Sequence, residues 1–169
     1  MFDTRVLGVD PGVARLGLAV LARRGRDQRV LWTDVARTPT GMDESRRLML
    51  LVAAVRQAIQ THAPEAVAVE RVAFNRNVVS AMAVARVTGA VMVAAAEAGL
   101  AVEEYSPTEV KNAVTGVGNA GKDQVRAALV RVHGLADVPL EPDATDAVAV
   151  ALTHLSGMRL RAAARAGAR

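Results

Sequence analysis

The sequence predicts an α/β domain built on a mixed five-stranded sheet with helices on both faces. Three observations predict it. Three apolar runs at the N-terminal end alternate with turn residues and read as an antiparallel meander. Two further short apolar runs follow, each after a stretch of helical periodicity. Hydrophobic residues make up 51% of 169 residues, enough for one sizeable core and too many for a disordered chain.

The elements follow in order. RVLGVD reads as a buried strand ending at Asp10, LGLAVLA as a second strand and RVLWTDV as a third, with a basic turn, RRGRDQR, between the last two. Met42 to Thr61 carries Leu48, Leu51, Val52, Val55 and Ile59 at helical spacing, and Pro64 stops it. AVAVE, Ala66 to Glu70, is a short buried strand that again ends in a carboxylate. RVAFNRN is a loop, and Asn77 is placed to cap a long apolar helix, Val78 to Ala98, ended by Gly99. That helix is apolar on both flanks, as expected of one wholly buried or packed in a subunit contact. LAVEEYS is the fifth strand, Thr108 to Val114 a short helix, and VTGVGNAGK a Gly-rich loop. Lys122 to His133 and Ala144 to Leu155 are the last two helices. No repeat or linker divides the chain, so residues 1–157 are expected to be one domain and 158–169 a basic, disordered tail.

Composition removes several function classes. There is no cysteine, which excludes disulfides, thiolate zinc sites and cysteine nucleophiles. No uncharged, unbroken apolar run is expected to span a bilayer and no signal core is visible, so the expectation is a cytoplasmic protein without a membrane partner. The net charge of +4 says little by itself. The basic residues cluster at Arg23, Arg24, Arg26 and Arg29, at Arg71 and Arg76, and in the tail. A phosphate-binding face and an ordinary solvated face are both open for each cluster.

The acids carry the chemistry. Asp10 and Glu70 each close an apolar strand, where desolvating a carboxylate costs free energy. Asp143 and Asp146 stand three apart at the start of the last helix and share one face. Strand ends and a helix N-terminus in such a sheet can converge. Carboxylates within about 4 Å of each other repel by roughly 4 kcal/mol per pair at an effective dielectric near 20. Protons or divalent cations must then compensate, and all-oxygen ligands suit Mg²⁺ or Mn²⁺. Two such ions about 3.5–4 Å apart serve in-line attack at phosphodiesters, and Asp10 is best placed to be shared by both. Other readings stay open here. Asp143 and Asp146 could cap a helix, Glu70 could pair with Arg71, and the Gly-rich loop could be a plain connection or, with Lys111 and Lys122, a phosphate contact. That loop is not a P-loop, since its glycine spacing is wrong and no Ser or Thr follows Lys122. His62, His133 and His154 have no ligand spacing and fit core or surface roles.

GVDPG at the first strand, VAVERV at the fourth, PTEVKNAVTGVGNAGKDQV in the middle and PDATDAVAVAL near the end resemble, in order, the RuvC family of Holliday junction resolvases. The resemblance runs from about Val6 to His154. It implies a ribonuclease H-like fold and a structure-selective endonuclease that nicks opposing strands of a four-way DNA junction. It implies that Asp10, Glu70, Asp143 and Asp146 are the catalytic acids, binding two Mg²⁺ or Mn²⁺ ions per active site. Lys111 and Lys122 match the family's basic residues beside that site. The long helix 78–98 matches the helix through which the family forms a homodimer, which suits a two-fold substrate. A branch-migration motor complex of the RuvA and RuvB type is the further partner implied.

Two departures stand out. Many members carry an aromatic wedge three positions after the catalytic glutamate. Here that position is Ala73, with Phe74 next to it, so Phe74, beside Arg76 and Asn77, is the candidate wedge and DNA contact. Some members place histidine where Asp143 stands. Three competing readings remain. GVDPGVARLGLAV also resembles the phosphate loop of actin-like ATPases, which need two lobes. It resembles YqgF-type nucleases, which act on RNA and share an Arg-x-Gly pattern, here Arg15 to Gly17. The third is a junction-binding protein without catalysis, against which the retention of four acids argues.

Overall fold

In a computed structural model, which describes residues 4–72 and 77–167, the meander, the two crossover strands and the helices take the order expected. Strands β1 (Thr4–Asp10), β2 (Arg15–Arg24) and β3 (Asp27–Arg37) pair antiparallel. Helix α1 (Glu44–His62) crosses to β4 (Ala66–Glu70), and α2 (Val78–Glu97) crosses to β5 (Ala101–Tyr105). Both of those strands run parallel to β1, giving a sheet of order β3-β2-β1-β4-β5. Helices α3 (Pro107–Thr115), α4 (Lys122–Arg131) and α5 (Pro142–Gly167) complete the fold.

The alternation of side chains along each strand divides the core in two. Leu7, Val9, Leu18, Val20, Val67 and Val69 point to one face and pack with Leu51, Val55, Val87 and Val91 of α1 and α2. Val6, Ala19, Leu21 and Ala68 point to the other and pack with α3, α4 and the apolar stretch of α5 from Ala147 to Leu155. Helices therefore cover both faces, as the sequence predicts.

Three boundaries differ from expectation. The basic turn between β2 and β3 shrinks to Gly25 and Arg26, because Arg24 pairs with Asp27 and Gly25 takes a φ of +60°. A two-residue hairpin turn of this kind needs a positive φ, which glycine adopts without strain. Helix α5 begins at Pro142, two residues early, where a proline is tolerated in the first turn. It also runs to Gly167 instead of ending at Leu155, since its Ala- and Arg-rich sequence has high helix propensity.

Helix α2 corrects the expectation that no stretch could span a bilayer. By length and composition alone it is long and apolar enough. Its Arg86, however, is fixed by a two-oxygen contact to Glu44 of α1, at 2.8 and 2.9 Å, and Val87, Val91, Ala94 and Ala95 are buried against the sheet. Asn77 caps α2 as expected, its side-chain oxygen accepting from the Val79 N–H at 3.0 Å.

Candidate active site

Two central strands and one helix terminus bring the four acids together. β1 and β4 are parallel neighbours in register, Val9 opposite Val69, so Asp10 and Glu70 leave the same end of the sheet side by side. α5 crosses β1 and β2 with its N-terminus over that end. Its approach is exceptionally close. A Cβ on Gly17 would stand 2.0 Å from the Asp143 carbonyl oxygen, and one on Gly8 would stand 2.1 Å from that of Ala147. Only glycine at both positions admits the helix backbone. Asp143 and Asp146 thus reach the strand ends.

Asp10, Glu70 and Asp146 line one cleft of ≈ 440 Å³ with Lys111 and Lys122. A second hollow continues from Asp10 and Glu70 along the start of α2, past Asn77 and Ser80. The electrostatics match the crowding. Burial, then the charges of Glu70, Asp146 and Asp143 in that order, push the Asp10 carboxyl up to about 7. Burial, then Asp146, push Glu70 up to about 7 as well. Lys122 opposes both shifts and Lys111 opposes that of Glu70. In turn, the Lys122 ammonium is held above its usual pKa, chiefly by its 2.7 Å bond to Asp146.

The alternatives left open by the sequence are resolved by partners. Glu70 makes no ion pair among the described residues, and the Arg71 side chain donates to the Glu104 carbonyl. Asp143 is held by Arg15, whose Nε lies 2.6 Å from its Oδ2, and Asp146 by Lys122, and both stand inside α5, which begins at Pro142. The Gly-rich loop is a connection with a task. Gly116 ends α3 with a φ of +77°, and Gly121 starts α4, its N–H donating to the Gln124 side chain at 2.8 Å. This turn sets Lys122 at the first position of α4, above Asp146. The three histidines have structural partners: His62 stacks on Trp32, His133 contacts the Val114 carbonyl, and buried His154 bonds the Tyr105 hydroxyl. Phe74 and Arg76 lie outside the described residues.

The donor chemistry fits hard divalent cations, with only carboxylate oxygens at the centre and two of those groups half-buried beside each other. As they stand, no three acidic or histidine side chains among the described residues are gathered tightly enough to chelate one ion. Arg15 and Lys122 each hold one of the α5 acids. Sequence reading missed the arrangement around Arg15. Glu141 binds both Arg15 and Arg37, and Arg15 binds Asp143 as well. Its partners lie more than 100 residues away, and no local pattern signals them.

Comparison with known proteins agrees with this geometry. The family model for the crossover junction endodeoxyribonuclease RuvC matches residues 6–154. The chain is 43% identical over 151 residues to the RuvC of Moorella thermoacetica, covering 89% of this chain and 90% of that protein. It is 46% identical over 151 residues to the RuvC of Nocardia farcinica, covering 89% and 80%. Among solved structures, Thermus thermophilus RuvC in complex with a Holliday junction superposes with a TM-score of 0.86 at 38% identity, covering 93% of this chain and 96% of that one.

Proposed function

This chain belongs to the RuvC family of crossover junction endodeoxyribonucleases, and we propose that it resolves Holliday junctions with Asp10, Glu70, Asp143 and Asp146 as its cation-binding catalytic acids. The observation that carries this reading is the convergence of two half-buried strand-end carboxylates with Asp146 of α5 on one lysine-lined cleft, close enough to Asp143 for its charge to act on Asp10.

Two Mg²⁺ or Mn²⁺ ions, when bound, supply water activation and relief of charge on the leaving oxygen of a phosphodiester. The chain's own residues do the rest. Asp10 lies among the other three acids and is placed to be the shared ligand. Lys122 and Lys111 line the cleft and offset its negative charge, which lets a phosphate approach four carboxylates. Asn77 and Ser80 extend the contact surface along the start of α2. Phe74 is proposed as the wedge against junction bases, with Arg76 and Asn77 as DNA contacts beside it.

The exposed apolar side chains of α2, Val78, Val79, Met82 and Val93, support a homodimer through this helix. Each gains about 1.5–3 kcal/mol on full burial, so a second copy is the natural cover. A two-fold dimer matches a two-fold junction and gives paired cuts. A branch-migration motor of the RuvA and RuvB type is the partner proposed to present the junction, and a DNA substrate supports the cytoplasm as the proposed location.

The test is cleavage of a synthetic mobile four-way junction against a linear duplex and a structured RNA, in Mg²⁺ and in Mn²⁺. Paired symmetric nicks confined to the junction, and lost in Asp10→Asn, are expected. Cleavage of the RNA alone would replace this reading with the YqgF-type one, and junction binding without nicks in either ion would leave a non-catalytic binder.

A further inference from the structure

Arg15, the first residue of β2, holds two carboxylates of the α5 N-terminal turn at once. Its Nε lies 2.6 Å from Asp143 Oδ2, and its Nη2 donates to Glu141 Oε1 at 2.7 Å. Arg37, its cross-strand partner, holds the same Glu141 oxygen. The backbone beneath is closely packed, because Gly17 seats the Asp143 carbonyl directly on β2. A change of partner for Asp143 therefore falls first to its side chain.

We propose that Arg15 is a positioning residue of the cation site. In the cation-free chain it holds the Asp143 carboxylate, and as a cation enters it releases Asp143 while staying seated on Glu141. This rests on the reading of the four carboxylates as cation ligands.

The chemistry favours such an exchange. A guanidinium does not lose its proton, so it can surrender a carboxylate only by moving away. Its five donors form a fork, so one arm can let go while another stays bonded. The side chain is half exposed, and the freed arm turns to water at small cost. Glu141 suits the role of anchor, since it is not among the acids whose charge acts on Asp10, and Arg37 keeps it in place. The arrangement also explains why four converged acids contain no chelating set of three as they stand. Lys122 holds Asp146 in a parallel way, but as a single point charge with no second carboxylate bridged to it among the described residues.

The experiment is Mn²⁺ titration of the DNA-free full chain by calorimetry, so that turnover plays no part. Arg15→Gln is expected to bind Mn²⁺ about fivefold more tightly, the effect of removing a half-exposed competing ion pair. Arg15→Lys, whose single ammonium cannot hold Glu141 and Asp143 with separate arms, should fall between wild type and Arg15→Gln. Glu141→Gln should bind several-fold more weakly, because Arg15 then has Asp143 as its remaining carboxylate. Opposite signs from two neighbouring variants separate this account from damage to the fold. In an Asp143→Asn background, Arg15→Gln should change nothing, whereas a general charge effect would persist. If Asp10→Asn abolishes Mn²⁺ binding while Arg15→Gln leaves it unchanged or weaker, the role of Arg15 is overturned and the cation reading stands. If wild type binds no Mn²⁺, or binds it regardless of Asp10→Asn, both fall.

Discussion

Gly17 and Asp143 touch so closely that a single methyl group between them, 2.0 Å from the Asp143 carbonyl oxygen, has no room. This contact ties the end of the sheet that carries Asp10 to the helix that carries Asp143 and Asp146. The obstructing atom is backbone on a helix packed over β1 and β2, so it cannot yield as a flexible side chain would. Gly17→Ala is therefore expected to cost about 3 kcal/mol, the upper range for overpacking. Thermal melting should show a fall in Tm of about 6–12 °C, with junction cleavage lost before the fold is.

Asp10 and Glu70 make the stability of the cation-free protein depend on pH. Both carboxyls titrate near 7 in the folded chain, against ordinary values of 3.8 and 4.5. The folded state thus binds more protons than the unfolded state between about pH 4 and 7. Stability is highest below that window, declines as pH rises through it, and levels off above it. Melting in a chelator should show Tm falling from pH 5 to 7.5. Mn²⁺ should raise Tm more at pH 7.5 than at pH 5.5, because cations and protons compete for the same oxygens.

Asp10→Asn removes the most buried of these charges without changing its shape. It should abolish cleavage and at the same time raise the Tm of the cation-free protein at pH 7.5. A variant that is more stable yet inactive separates a functional acid from a structural one, and a drop in Tm would argue for the structural role.

Lys122 counters the negative charge on both Asp10 and Glu70. Its loss leaves those carboxyls still harder to ionise. Lys122→Met is expected to reduce the cleavage rate about 10²-fold, the scale of losing one preorganised charge at a reacting phosphate. The pH at which Mn²⁺ binding reaches half its maximum should move upward, which calorimetry across a pH series would show.

Met82 is exposed on the apolar face of α2, where a second copy is proposed to dock. Met82→Glu should shift the protein from dimer to monomer in sedimentation analysis without lowering the Tm of the monomer fold. Paired nicks at a junction should become uncoupled single nicks.

The physical reasons for what could and could not be read from sequence are specific. Asp10 and Glu70 were legible because a carboxylate closing an apolar strand is costly and conspicuous. Asp143 and Asp146 were legible from their three-residue spacing at a helix start. The charged ends of β2 and β3 were not, since RRGRDQR reads as a turn until Gly25 is seen to close it in two residues. The end of α5 was missed because an Ala- and Arg-rich stretch reads equally as tail or helix. In the sequence Arg15 stands out only as part of an Arg-x-Gly pattern. Its contacts to Glu141 and Asp143 depend on a helix that returns to β2 from the far end of the chain.

The most direct test of the central claim is a crystal of the full chain soaked in Mn²⁺, with the manganese located by anomalous scattering. The account predicts two peaks about 3.5–4 Å apart, Asp10 shared between them and Glu70, Asp143 and Asp146 completing the set, with Arg15 withdrawn onto Glu141. Manganese bound elsewhere, or no peak among these carboxylates at saturating Mn²⁺ and pH 7.5, would contradict it.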